Sequence, residues 1–434
     1  MFYLADGYEL DEKRILKYLD RFKFSILPEL EKREAYYNGK QDILRKEASD
    51  IGKPNNKIVA NFCKTITDNL SGFIAGKGVG YTSTDDIEGI VNTLKYNDYQ
   101  TSDMSLLHDA LIYKYAVEFV YFDANESQIR FTQLPSKECI PVYNTNIDPE
   151  LKYVIRLWCD EDILSKSYYV DVYGERSIKH YKTTNAFSSL QLLDEEPHYF
   201  GMCPCSVLEL NENAFDCIIT LQDAYNSIIS GELDNQEAFS DAYLILKGCV
   251  ADEEDLKNMK RNKVLMLDED ADADYLTKMS NISNVSTMLD KVEEMIQRVS
   301  CVPNLNDETF GTSSGIAIQY KLTSLRNRAG QICTYFKKAL QRRLELICSI
   351  EAKRADNFIW RDIDINFDWN LPENLQEEAS VVTQLRGIVS QKTLLGTLSF
   401  VDDVEAELEA LAEEDSLYDF NTEPMSYEEE MELG

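Results

Sequence analysis

Residues 315–355 contain no proline and carry apolar side chains at helical spacing throughout: Ile318, Leu322, Leu325, Ala329, Ile332, Phe336, Leu340, Leu344 and Ile347. Ser313 or Ser314 stands where an N-cap belongs, and the spacing predicts a helix over 315–355. About 40 residues rising 1.5 Å each make a rod of roughly 60 Å. Such a rod exceeds what one small domain needs to cover its own core, so the fold must be organised along it. The rod is also basic, with Lys321, Arg326, Arg328, Lys337, Lys338, Arg342, Arg343, Lys353 and Arg354 against Glu345 and Glu351. Two readings stay open: a solvated basic face, or a face that meets the acidic surface of a neighbouring subunit.

That contrast matters because the whole chain of 434 residues carries a formal charge of −33. Tight nucleic-acid binding depends on Lys and Arg displacing counterions from phosphates, so the acidity argues against a DNA clamp but not against DNA that passes without sticking. After Lys392 there is no Lys or Arg but fourteen Asp and Glu, from Asp402 to Glu432, which reads as a solvated acidic tail. The 44% hydrophobic and 11% aromatic content belongs to a folded protein, and the length predicts two to four folding units. Ten scattered cysteines suit reduced core thiols. The opening MFYLADGYELDEKR has charges where a signal peptide has its apolar stretch. No apolar run approaches the roughly 18 residues that span a bilayer; the expectation is a soluble protein made in cytoplasm.

The first 115 residues read as mainly helical. In PNNKIVANFCKTITDNLSGFIAG, Asn55 or Asn56 can cap a helix whose stripe runs through Val59, Phe62, Cys63, Ile66, Leu70, Phe73 and Ile74. From 117 to about 210, VEFVYFD, QIRFTQL, YVIRLWC, SYYVDVYG and RSIKHYKT predict a sheet. The fold class is therefore α+β and not an alternating βαβ arrangement. Helix returns at 213–240, with Phe215, Ile218, Leu221, Tyr225, Ile228 and Ile229 on one stripe and Gly231 as a weak point. Two short strand candidates, AYLILKG and KVLMLDED, form a small module before a helix at 284–300, patterned by Val285, Met288, Leu289, Val292, Met295, Ile296 and Val299 and stopped by Pro303. RDIDINFDWN alternates as a strand, and two or three helices follow it.

Catalytic and metal motifs are weak. GFIAGKGVGY resembles a phosphate loop around Lys77, but Gly72 and Gly76 are too close, Gly78 replaces the Ser or Thr, and a helix precedes it; a helix stop and turn is the better account. LDEDADADY offers Asp270, Asp272 and Asp274 as calcium ligands, yet Tyr275 stands at the glycine position and Asn281 at that of the bidentate Glu. Asp362, Asp364, Asn366 and Glu373 imitate a second loop, where Phe367 occupies the glycine position. Cys203, Cys205 and His198 lack the spacing of a zinc site. His108, His180 and His198 leave little material for histidine catalysis. No metal, cofactor or enzymatic activity is expected.

In order, YYNGKQDIL, KPNNKIVANFCKTITDNLSGFIAGKGVGY, LQDAYNSIISGELDNQEAFSDAYLILKG, GTSSGIAIQYKLTSLRNRAGQICTYFKKALQRRLELI, INFDWNLPENLQEEA and LRGIVSQKTLLGTLSFVDDVEAELE resemble the portal, or head-to-tail connector, proteins of long-tailed double-stranded-DNA bacteriophages. The likeness covers about 35 to 410. It implies a ring, of twelve copies in the family, around a DNA channel at one capsid vertex, assembled in the host bacterial cytoplasm. It implies a wing (1–211 with 315–371), a two-helix stem (212–240 and 284–300), a clip (241–283), a tunnel loop (301–314), a crown (372–415) and an acidic tail (416–434). The implied partners are other copies of the chain, passing double-stranded DNA, the terminase large subunit, a head-completion or adaptor protein, and scaffolding and major capsid proteins, with no membrane.

The resemblance also implies residue roles. In the loop, Asn304, Asn306, Asp307, Glu308, Thr309, Phe310 and Thr312 would face the channel, with Gly311, Ser313, Ser314 and Gly315 as hinge and helix cap. Arg326, Arg328, Lys337, Lys338, Arg342 and Arg343 would meet a neighbouring subunit, and Lys257, Lys260, Arg261 and Lys263 would serve docking at the clip. The competing readings are another ring-forming virion component, such as an adaptor or minor capsid protein, and a nucleotide hydrolase using Lys77.

Overall fold

A computed structural model describes residues 2–5, 7–48, 54–162, 165–184, 187–240, 243–247, 272–276, 282–304, 315–351, 359–369, 375–398, 401, 404 and 407–412. The chain divides into two compact units, the larger running to Asn370 and the smaller from Leu371 onward, with Ser314–Ile316 grouped with the latter.

In the larger unit, the N-terminal region is helical as predicted: α1 (Glu12–Arg21), α2 (Leu27–Tyr37), α3 (Phe62–Ala75), α4 (Glu88–Tyr96) and α5 (Tyr99–Tyr113). A π-helical turn, Phe22–Ile26, joins α1 to α2 without a break. Two strands here are unannounced by periodicity because each is too short to show any. β1 (Phe2–Leu4) pairs parallel with β5 (Cys139–Asn144), and β2 (Val79–Thr82) pairs with a strand far along the chain. GFIAGKGVGY is a helix stop followed by a turn: α3 ends at Ala75, Gly78 takes φ +86, and β2 begins at Val79. That conformation is natural to glycine.

The predicted sheet is two sheets. β3 (Tyr115–Asp123), β4 (Gln128–Leu134) and β10 (Cys205–Glu209) form an antiparallel layer in the order β10-β3-β4. β5, β6 (Leu151–Asp162), β7 (Ser165–Tyr173), β8 (Ser177–Thr183) and β9 (Leu190–Pro197) continue from β1 in sequence order. Val117, Leu134, Cys139, Val154, Tyr173, Ile178, Cys203 and Cys205 join the two layers in one buried cluster. Cys203 and Cys205 are thus core thiols, and burial raises the Cys205 thiol well above its ordinary value. Among the described cysteines, Cys217 is the exposed exception to the core pattern.

α6 (Ile219–Ser240) begins later than the predicted 213, after a 3-10 turn at Asp216–Ile218. The Asn213 side chain accepts the backbone N–H groups of Phe215 and Asp216 at 3.2 and 2.6 Å, holding the entry in a turn. β11 (Tyr243–Lys247) pairs antiparallel with β12 (Asp272–Leu276), and α7 (Ile282–Ser300) follows. AYLILKG pairs with DADYL, and the second strand candidate, KVLMLDED, lies outside the described residues. Asp272 and Asp274 are strand residues in this pairing, which the calcium-loop geometry does not permit.

The rod is present as α8 (Gly315–Glu351). Leu322, Leu325, Ala329, Ile332, Phe336, Leu340, Leu344 and Ile347 are all buried, as the stripe predicts. β13 (Asp364–Phe367) closes the unit by pairing antiparallel with β2, burying Ile363 and Ile365. The second calcium-like run is therefore a half-buried strand. The smaller unit contains α9 (Leu375–Leu385) and α10 (Gln391–Leu395), the latter capped by the Ser390 side chain, with residues 407–412 also helical.

Candidate functional site

α6, the β11–β12 pair and α7 form a hairpin whose two helices pack along each other. The helices are antiparallel, and Arg328 of α8 locates their common base. Its guanidinium donates to the carbonyl oxygen of Ser300, the last residue of α7, and to those of Asn213 (3.1 Å) and Ala214 (2.9 Å) just before α6. One side chain thus satisfies carbonyls at both feet of the hairpin, where helix ends and turns leave acceptors without backbone partners. α7 stops at Ser300, Cys301 adopts φ +56, and Val302 is buried beside the foot.

A second anchorage runs along α6. Before α3, residues 54–61 form a strap outside any helix or strand, and the cap of α3 is Asn61, not Asn55 or Asn56. A strap packed against a helix has no strand to take its N–H groups. Here α6 replaces one. The N–H of Phe62 donates to Gln222 Oε1 (2.9 Å), that of Ala60 to Asn226 Oδ1 (2.9 Å), that of Ile58 to Ser230 Oγ (2.9 Å) and that of Asn56 to Asp234 Oδ1 (2.6 Å).

The match is geometric. Every second residue of an extended chain advances about 6.6 Å, and every fourth residue of a helix about 6 Å along one face. Gln222, Asn226, Ser230 and Asp234 therefore present acceptors at nearly the period of the strap's donors. Gln222, Asn226 and Ser230 are fully buried. The network closes on itself: Gln222 Nε2 donates to the Ala60 carbonyl (2.5 Å), Asn226 Nδ2 to Gln41 Oε1 (2.5 Å), and Gln41 Nε2 to Asn61 Oδ1 (3.1 Å). Lys46 pairs with Asp234 at 2.8 Å, and Asn56 Nδ2 bonds both Asp234 and Glu237. The ladder ends there, because Pro54, two residues before Asn56, has no N–H to donate. The apolar stripe of 213–240 was readable from sequence; this polar stripe, spaced by fours beside it, was the available signal for the strap.

Of the basic residues on α8, Arg343 is not a surface group. It is 0% exposed, forms a two-pronged ion pair with Glu118 of β3 (both contacts 2.7 Å) and meets Asp103 of α5 at 2.5 Å, with the two carboxylates 1% exposed. Its guanidinium lies over the Phe131 ring, 4.4 Å from the centroid. Burial pushes the Asp103 carboxyl up to about 6 against the pull of Arg343. The sequence carried the cue, since 343 lies three residues after Leu340 and four before Ile347, on the buried stripe. A subunit-interface role for Arg343 is therefore overturned: a buried charge with two buried carboxylate partners has nothing left to offer a neighbour.

Arg328 is committed to the hairpin base, and Arg342 to Glu345 (2.6 Å) and the Cys203 carbonyl (3.1 Å). Lys338 is exposed, and Arg326 and Lys337 are half-buried. Asn304 is exposed where the chain leaves α7, and Gly315 is the first residue of α8. Asn306, Asp307, Glu308, Thr309, Phe310, Gly311, Thr312, Ser313 and Ser314, together with Lys257, Lys260, Arg261 and Lys263, lie outside the described residues.

The organised polar sites hold elements in place: a strap on a helix, a staple at a hairpin base, an ion triad under a rod. The fold they hold together is mixed in helix and sheet, with a helical hairpin anchored to its body. The family described as Phage portal protein, SPP1 Gp6-like, matches residues 16–418, and the chain belongs to it. It is a phage structural protein and not an enzyme. The portal protein of Clostridium phage phiCD119 (strain Clostridium difficile/United States/Govind/2006) is 21% identical over 407 residues, covering 86% of this chain and 89% of that one. Among solved structures, a chain from "Neck of empty GTA particle computed with C6 symmetry" is 11% identical, with a TM-score of 0.43 over 80% of this chain and 87% of its own. Among the described residues, no helix is long and apolar enough to cross a membrane.

Proposed function

We propose that copies of this chain form a ring at one capsid vertex, with the α6–α7 hairpin as the stem lining a channel for double-stranded DNA. The observation that carries the reading, beside family membership, is the double anchorage of the hairpin, by the four-rung strap along α6 and by Arg328 at its base. A conduit through which a charged polymer is driven needs its wall fixed to the body of each subunit. The strand pair between the helices is then the clip, the docking place for the terminase large subunit and the head-completion protein, and residues 372–415 are the crown. Scaffolding and major capsid proteins meet the ring from outside.

The charge of −33 per chain supports passage without retention. Repulsion between the wall and the phosphates falls off over about 8 Å at physiological salt, so DNA slides and is not held. The segment between α7 and α8 is proposed as the moving contact with that DNA. Class-averaged images and the native mass of the purified particle test the ring, which requires a central channel and an integral number of chains. Deleting 305–310 is expected to leave the ring intact and impair DNA packaging or retention; normal packaging by that variant removes the loop assignment.

A further inference from the structure

Two faces of the hairpin stand uncovered among the described residues. On α7, Met288, Met295 and Val299 remain 54%, 42% and 47% exposed, although Val292 and Ile296 beside them are buried against the protomer. Three large apolar groups left in water along one side of a helix form a stripe that a second surface would cover. On α6, the strap takes one side and α7 another, and the remaining side presents Thr220, exposed, and Ala224 and Gly231, half-buried. Gly231 lies in the interior of a 22-residue helix, where glycine weakens the helix relative to alanine. Among the described residues nothing requires it: a Cβ built there meets no atom within 4 Å.

The two faces match. Thr220, Ala224 and Gly231 are separated by four and then seven residues. Val299, Met295 and Met288 are separated by four and then seven in the opposite direction. Both series span about 16 Å. Large side chains on one helix therefore face small ones on the other when the helices run antiparallel, the condition for ridges to enter grooves. The heights are counted from the common base, where Arg328 ties Ser300 to Asn213 and Ala214. From that base Val299 and Thr220 come lowest, Met295 and Ala224 next, and Met288 and Gly231 highest. Rotation about an axis along the hairpin leaves heights unchanged, so the α7 face of one copy meets the α6 face of the next in this register.

We infer that the stem is closed between copies of this chain by Met288, Met295 and Val299 of one copy packing on Gly231, Ala224 and Thr220 of its neighbour. The contact is heterologous, and repeated rotation closes it into a ring. The inference rests on the ring reading above but is tested separately from it.

Differently tagged Met295→Cys and Ala224→Cys chains are co-expressed and treated with a short bis-maleimide. The expected result is a dimer band carrying both tags at least ten times stronger than when either variant is paired with the wild-type chain, which measures the background from native cysteines such as Cys217. Particles of ring mass with no band above that background overturn this pairing and leave the ring standing. Protein of protomer mass only overturns both. Gly231→Leu supplies the second test: with open space around it in the protomer, the variant keeps its helical circular dichroism and loses assembled particles at least ten-fold. Unchanged assembly of Gly231→Leu overturns the pairing.

Discussion

Replacing Arg343 with Met tests what holds the long helix to the body of the protein. The substitution keeps volume and removes the one cation between Asp103 and Glu118, both 1% exposed. Breaking a buried ion pair by removing one partner costs about 3–5 kcal/mol, because the charge left behind is neither solvated nor paired. Burial already raises the Asp103 carboxyl to about 6 with Arg343 present; without the cation it rises further. A carboxyl raised in the folded state binds protons more tightly there than in the unfolded chain, so its ionisation destabilises the fold as pH climbs through that range. The Arg343→Met deficit is therefore largest at pH 7.5 and shrinks toward pH 5, by about 1.4 kcal/mol for each unit of pKa by which protonation neutralises a stranded carboxyl.

Hydrogen exchange of β3 and of residues 336–347 at both pH values reads the effect locally, without treating a chain of two units as one cooperative transition. Adding Asp103→Asn and Glu118→Gln to Arg343→Met is expected to recover most of the loss, since neutral buried amides tolerate the missing cation better than carboxylates. A deficit under about 1 kcal/mol at pH 7.5, set against the 3–5 expected, refutes the reasoning. So does a deficit independent of pH.

Asn226→Ala removes the acceptor for the Ala60 N–H and the donor to Gln41. The orphaned buried groups cost about 1–3 kcal/mol, seen as lost exchange protection at residues 56–62 while β6–β8 are unaffected; equal loss in both regions contradicts a local strap. The Asp234 carboxyl is held below its ordinary value by the Asn56 backbone N–H and by Lys46. A depressed carboxyl contributes stability above its unfolded value and loses it as pH falls through the folded one. The Asn56 amide therefore exchanges faster as pH drops below about 4, after correction for the intrinsic rate. Asp234→Asn abolishes that dependence.

The long helix, the mixed fold and the hairpin's existence were set by local sequence. A proline-free apolar stripe has few ways to be satisfied other than as helix, and β-branched alternation has few other than as strand, because both patterns follow from the geometry of one backbone segment. Family membership was legible for the same reason: ordered phrases survive in sequence whatever their contacts. Tertiary structure alone decided what the polar residues on those elements do. Arg343, Arg328 and Lys338 share one basic helix, yet one is the centre of a buried triad, one is a staple and one faces solvent, since burial depends on what α5, β3 and the hairpin feet bring to that height of the rod. The polar stripe of α6 was legible, but not what it binds, because Phe62 and Gln222 are 160 residues apart and a backbone N–H has no sequence signature of its partner.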